Sequence, residues 1–158
     1  MCFALSLIPT PQLNLRMTTE TFMSDSATSG AAVILFAHGS RDPLWRLPIE
    51  AVAAEIRQQQ PDAAVLCAYL ELCTPSLQEA AAQLVANGAQ HVKVFPLFFG
   101  VGKHAREDLP QLMDELKAAH PEIRVDLLPT AGEFVEVTRL MAQIALGKLC
   151  KTQPTVGF

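Results

Sequence analysis

Residues 31–37 read AAVILFA, and His38-Gly39-Ser40-Arg41-Asp42-Pro43 follows at once. A continuous apolar run this short, closed by a glycine-containing turn, reads as a strand buried on both faces. Such a strand belongs to a mostly parallel sheet with helices above and below it.

The flanking chain agrees. Asp42 and Pro43 form a cap-plus-proline start for a helix over Pro43–Gln60, where Ile49, Val52, Ala53 and Ile56 recur at helical spacing. Pro61 stops it, and Ala63–Leu70 (AAVLCAYL) is a second strand. Thr74-Pro75 repeats the start signal for a helix over Ser76–Asn87, which Gly88 ends. His91–Phe95 is a third strand, and Leu97–Glu107 reads as a loop carrying Gly100 and Gly102. Asp108 and Pro110 give the start signal a third time, for a helix reaching Ala119. Pro121 ends that helix, Ile123–Leu128 is the fourth strand, and Glu133–Leu149 is the last helix. Successive β-α units with right-handed crossovers predict an α/β fold: one doubly wound, flavodoxin-like domain over residues 31–149, its four-stranded parallel sheet ordered 2-1-3-4. Residues 1–30, rich in Thr, Ser and Pro, read as a loosely packed extension to which no role is assigned, and 150–158 as a loose tail. Met17 and Met23 lie just upstream of the predicted fold and read as candidate translation starts.

Composition narrows the function. Half of the 158 residues are hydrophobic and the net charge is −4, so no basic face for nucleic acid is expected. No run approaches the ~18 apolar residues of a membrane span. The apolar run Phe3–Ile8 lacks the basic flank of a signal peptide. Cys2, Cys67, Cys73 and Cys150 match neither a zinc ribbon nor a CxxC pair, which suits reduced thiols in a cytoplasmic protein.

In a doubly wound sheet, ligands bind beyond the carboxyl ends of the strands at the switch point. For order 2-1-3-4 that point lies between the first and third strands, and two of the four histidines fall there: His38 after the first strand, His104 after the third. Paired imidazoles can hold iron, cobalt, nickel or zinc, leave coordination positions open for a metal that is passed on, and accept protons near neutral pH. Glu71, after the second strand, shares that edge and can either accept a proton or simply favour the start of the helix that follows. Arg41, Arg46, Lys103 and Arg106 are four of twelve basic residues and crowd the same loops, as a polyanionic ligand would require. Ser40 lies between them, with no nucleophile-elbow motif. Leu97, Phe98 and Phe99 offer an apolar plate beside His104, although strand-end aromatics also serve cores. His91 and His120 lie elsewhere and read as structural or solvated. The chain has no GxGxxG or P-loop, so a nucleotide is not indicated.

LFAHGSRDP (35–43), AYLELCTPSL (68–77) and VFPLFFGVGKHAREDLP (94–110) together resemble the small CbiX/SirB-type sirohydrochlorin chelatases among the class II chelatases. The resemblance implies an enzyme, a lyase-type chelatase inserting cobalt, ferrous iron or nickel into sirohydrochlorin, on routes to cobalamin or siroheme. It assigns the catalytic and metal-binding histidines to His38 and His104 and the acidic residue to Glu71. It gives the basic rim a role against the macrocycle's acetate and propionate groups. It implies a homodimer and no permanently bound cofactor, the divalent metal being a substrate. A non-enzymatic metal or tetrapyrrole carrier is the alternative that the same residues allow.

Overall fold

The structure, a computed structural model, describes residues 31–100 and 102–149. The expectations for residues 1–30 and 150–158 concern segments outside that range.

The strands are β1 (Ala31–Ala37), β2 (Ala64–Tyr69), β3 (His91–Pro96) and β4 (Arg124–Leu127), all parallel in the order β2-β1-β3-β4. The helices are α1 (Leu47–Gln59), α2 (Leu77–Ala86), α3 (Lys103–Ala119) and α4 (Val135–Ala145), with 3-10 turns at Pro43–Arg46 and Ala131–Glu133.

Alternation along β1 builds two cores. Ala32, Ile34 and Phe36 point toward α2 and α3, where they meet Val92, Val94, Leu84 and Leu116. Leu35 and Ala37 point the other way, to Ile49 and Ala53 of α1. A strand apolar at every position is required because both of its faces are covered.

The helix boundaries correct the expectations in instructive ways. Ser76, not Thr74, caps α2. The Pro75 carbonyl accepts the Tyr69 N–H at 2.9 Å, which holds Thr74-Pro75 alongside β2. Capping then passes to Ser76: its hydroxyl accepts the Glu79 N–H, and the Glu79 carboxylate accepts the Ser76 N–H at 2.7 Å. That reciprocal box pulls the Glu79 carboxyl below its usual range. At the other end Gly88, at φ 89°, terminates the helix as expected.

The largest correction concerns α3. It begins at Lys103, capped by Gly102, so Lys103, His104 and Arg106 lie in its first turn rather than in a loop, and Pro110 lies inside the helix rather than at its start. Proline in a helix interior costs about 3 kcal/mol, because it removes an N–H and crowds the carbonyl four residues back. Burial of Leu109, Met113 and Leu116 against the sheet, at about 1.5–3 kcal/mol each, outweighs that cost.

The last helix is shorter than the sequence suggested. Gly147, at φ 65°, turns the chain, with Gly147 N–H on the Ile144 carbonyl and Lys148 N–H on the Gln143 carbonyl. Those two bonds complete a Schellman stop.

Candidate active site

The parallel register decides which residues meet. Ala37 pairs with Tyr69 and Phe36 with Pro96, so the chain leaves β1, β2 and β3 at one level. Three backbone bonds extend the ladder past the strands: Leu97 N–H to the Phe36 carbonyl at 2.7 Å, Leu70 N–H to Ala37 at 2.8 Å, and Glu71 N–H to His38 at 2.9 Å. His38 and Glu71, both exposed, therefore share one edge of the sheet.

Gly39 makes this closeness possible. Its φ is +100°, a conformation that residues with a Cβ rarely adopt, and a Cβ there would lie 1.9 Å from the Glu71 carbonyl oxygen. The next turn is held by its own side chains. The Asp42 N–H donates to Ser40 Oγ at 3.1 Å and the Leu44 N–H to Asp42 Oδ1 at 2.9 Å. Ser40 thus shapes the loop as an acceptor, leaving its own proton available to a ligand. Arg41 is exposed, and Arg46 is half-buried at the end of the 3-10 turn.

The His38 ring stands over Phe98, with ring centroids 4.4 Å apart and planes at 37°. Phe98 is only 2% exposed and meets Phe36 edge-on at 5.7 Å. The expectation that Phe98 touches a ligand is corrected: its position in the alternating pattern of β3 sends it into the α2–α3 core, where it supports His38 from below. Phe99, 65% exposed, is the accessible member of the pair.

Beside His38 opens a cleft of about 460 Å³ lined by Leu44, Trp45, Pro48, Ile49 and Leu97. Of these, only Leu97 was expected. Leu44 and Trp45 carried a readable signal, since apolar residues in a turn at the ligand end of a sheet have no core to fill. Trp45 packs at 6.3 Å from the Tyr69 ring. Burial first, then the neighbouring Cys67 and Glu50, push the Tyr69 phenol up to about 12 against the pull of Arg46, so Tyr69 stays protonated and is no base.

His104 follows β3, the neighbour of β1, and enters α3 in its first turn with Lys103 and Arg106. The topology thus leads both histidine-bearing segments out of adjacent strands. His91 and His120 are engaged elsewhere. His91 Nε2 lies 2.8 Å from Asp126 Oδ2 at the opposite end of β3, and His120 Nδ1 lies 3.4 Å from Glu122. Among the described residues no three His, Cys, Asp or Glu side chains gather to hold a metal ion, and no helix is long and apolar enough to cross a membrane. Cys67 and Cys73 are free thiols, and burial raises the Cys67 pKa.

Residues 32–145, which include His38, Glu71 and His104, match the profile of the CbiX family. The chain belongs to the CbiX family. Among its relatives, the sirohydrochlorin cobaltochelatase of Sulfolobus acidocaldarius is 28% identical over 114 residues, covering 72% of this chain and 91% of that protein. The sirohydrochlorin cobaltochelatase of Methanopyrus kandleri is 33% identical over 82 residues, 52% of this chain, and the matched segment spans 57% of that protein. A crystallised CbiX protein of Marinobacter aquaeolei, described as a cobalamin biosynthesis protein, superposes with a TM-score of 0.65 at 29% identity over 75% of this chain and 96% of that one. The cobalt complex of SirB from Bacillus subtilis shares the fold, with a TM-score of 0.64 at 23% identity, over 74% of this chain and half of SirB. The CbiX fold is therefore the one that the order 2-1-3-4 predicted.

Proposed function

We propose that this CbiX-family chain is a sirohydrochlorin chelatase, inserting a divalent metal ion into the macrocycle. The observation that carries the reading is the placement of His38: solvent-exposed at the carboxyl end of β1, bedded on Phe98, tied to Glu71 and open to an apolar cleft. An imidazole buried for structure would have no exposed ring beside an apolar wall.

In this reading Leu44, Trp45, Leu97 and Phe99 contact the macrocycle's apolar surface. Arg41, Arg46, Lys103 and Arg106 meet its peripheral carboxylates, and Ser40 donates a hydrogen bond. His38 and His104 hold the incoming metal. Together with Glu71 they accept the pyrrole N–H protons as metal–nitrogen bonds form. Bringing base and metal to one place removes the entropic cost of their encounter. The metal is a substrate. Cobalt is the first candidate, because the relatives are named cobaltochelatases; ferrous iron and nickel suit the same imidazole set. A cytoplasmic homodimer serving cobalamin or siroheme synthesis completes the proposal.

The test is turnover. Purified protein, sirohydrochlorin and Co²⁺, Fe²⁺ or Ni²⁺ are followed by absorbance against the spontaneous reaction. Multiple turnovers with at least one metal are expected. A rate equal to the spontaneous one with all three, or release of no more than one equivalent, rejects the enzyme in favour of a carrier.

A further inference from the structure

The chain leaves β2 through a backbone conformation that the packing of the fold does not reward. Among the described residues Leu72 is the only non-glycine at positive φ, 66°. Across it the Cys73 N–H donates to the Glu71 carbonyl at 2.8 Å. A three-residue turn closed in this way, with a positive central φ, is the rare and strained form of the γ-turn. A leucine there crowds its Cβ against the backbone, where glycine or asparagine would fit more easily.

The turn has no room to relax. The Glu71 N–H is held by the His38 carbonyl at 2.9 Å, and the Tyr69 N–H by the Pro75 carbonyl at 2.9 Å, which closes the loop. The Gly39 backbone presses on the Glu71 carbonyl so closely that a Cβ on Gly39 would lie 1.9 Å from its oxygen. Cys73 packs into the α1-side core and anchors the exit. Strain persists where the surroundings over-determine it, and such positions gather at ligand sites.

Burial does not offset the strain, because Leu72 is 54% exposed. It follows Glu71 beyond the end of β2, on the sheet edge that carries His38. The neighbouring loops of that edge also hold exposed apolar residues: Leu44, 59% exposed, after β1, and Phe99 after β3. Three strand ends adjacent in the order β2-β1-β3 thus each carry an exposed apolar side chain beside exposed His38 and Glu71. A metal ion or a small anion would touch one of these loops. A ligand that covers all three is broad and apolar across its face.

We propose that Leu72 is a substrate-contacting residue, held in its strained turn so that it meets the apolar face of the macrocycle beside Glu71 and sets the affinity for sirohydrochlorin. This deepens the chelatase reading above and rests on it.

Leu72→Gly and Leu72→Asn test it, since both residues accept the backbone of the turn. We expect KM for sirohydrochlorin to rise about tenfold as the apolar contact is lost, with a smaller change in kcat and no fall in the urea midpoint. Leu72→Met, similar in volume, recovers most of the parental KM. Because the contact is apolar, the rise persists at high salt, where one caused by an exposed rim charge shrinks. A parental KM in both variants overturns the inference. So does a lowered midpoint with kcat falling in step, which makes Leu72 a structural part of the Glu71 turn. The parent separates this failure from that of the function. If it binds sirohydrochlorin in equilibrium dialysis without turning over, the chelatase reading falls alone, and the same shifts are read in Kd. A parent that neither binds nor turns over overturns both.

Discussion

The His38 carbonyl accepts the Glu71 backbone N–H at 2.9 Å, so the strand-end histidine and the strand-end glutamate are fixed to each other by main chain, independently of either side chain. Two side chains positioned in this way need no substrate to bring them together.

His38→Ala and His104→Ala are each expected to reduce metal insertion by about 10²- to 10⁴-fold, the usual contribution of a positioned base. Because both act on one metal, the double variant is little worse than the worse single one. His91→Ala, whose ring meets Asp126 far from the site, retains parental turnover. Full activity in both single variants would remove the proposed site.

Gly39→Ala puts a methyl group against the Glu71 carbonyl and forces a side chain into positive φ. Strain of about 1–3 kcal/mol is expected, read as a lower urea midpoint, with kcat falling as His38 and Glu71 separate. A midpoint and kcat both equal to the parent's would show that the loop relaxes freely.

Phe98 and Phe99 are adjacent in sequence and opposite in role. Phe98→Ala empties a core position and is expected to cost about 3–5 kcal/mol in denaturant unfolding. Phe99→Ala, at a 65% exposed position, is expected to stay within about 0.5 kcal/mol and to raise KM instead. Equal stability losses would contradict the alternating placement of the two rings.

Arg41→Ala, Arg46→Ala and Lys103→Ala are expected to raise KM for sirohydrochlorin with kcat nearly unchanged, since carboxylates on the rim are held alike in ground and transition states. For exposed Arg41 the effect shrinks with added salt. An unaltered KM in all three would move the macrocycle elsewhere.

The Arg124 guanidinium, with His91 beside it, holds the Asp126 carboxyl below its ordinary 3.8. A depressed carboxyl stabilises the fold above the unfolded value and loses that contribution as pH falls through the folded one. Unfolding free energy of the parent should therefore drop more steeply below about pH 4 than that of Asp126→Asn. Parallel profiles would show that the cluster contributes nothing. Solvent access to Asp126, 33% exposed, keeps the difference small.

Much of this was legible in the residues, for identifiable reasons. The order 2-1-3-4 followed from β1 being apolar at every position and from the right-handed crossover, neither of which depends on fine packing. Where reading failed, a tertiary term outweighed a local one. Pro110 is a good helix starter in isolation, and only the burial of Leu109, Met113 and Leu116 reveals that α3 starts a full two turns earlier. The loop position of Phe98 suits either a ligand plate or a core, and its alternation with Val94 toward α2 and α3 decides for the core. Ile49 reads from its spacing only as a core residue of α1, and its second face, toward the cleft beside Trp45, has no signature in spacing alone.

Trp45 is the chain's single tryptophan; it lines the cleft wall with His38 and packs near the Tyr69 ring. No other indole contributes to the emission, so the protein carries its own optical gauge. A change in its fluorescence on adding a ligand reports on that wall and on no other part of the molecule.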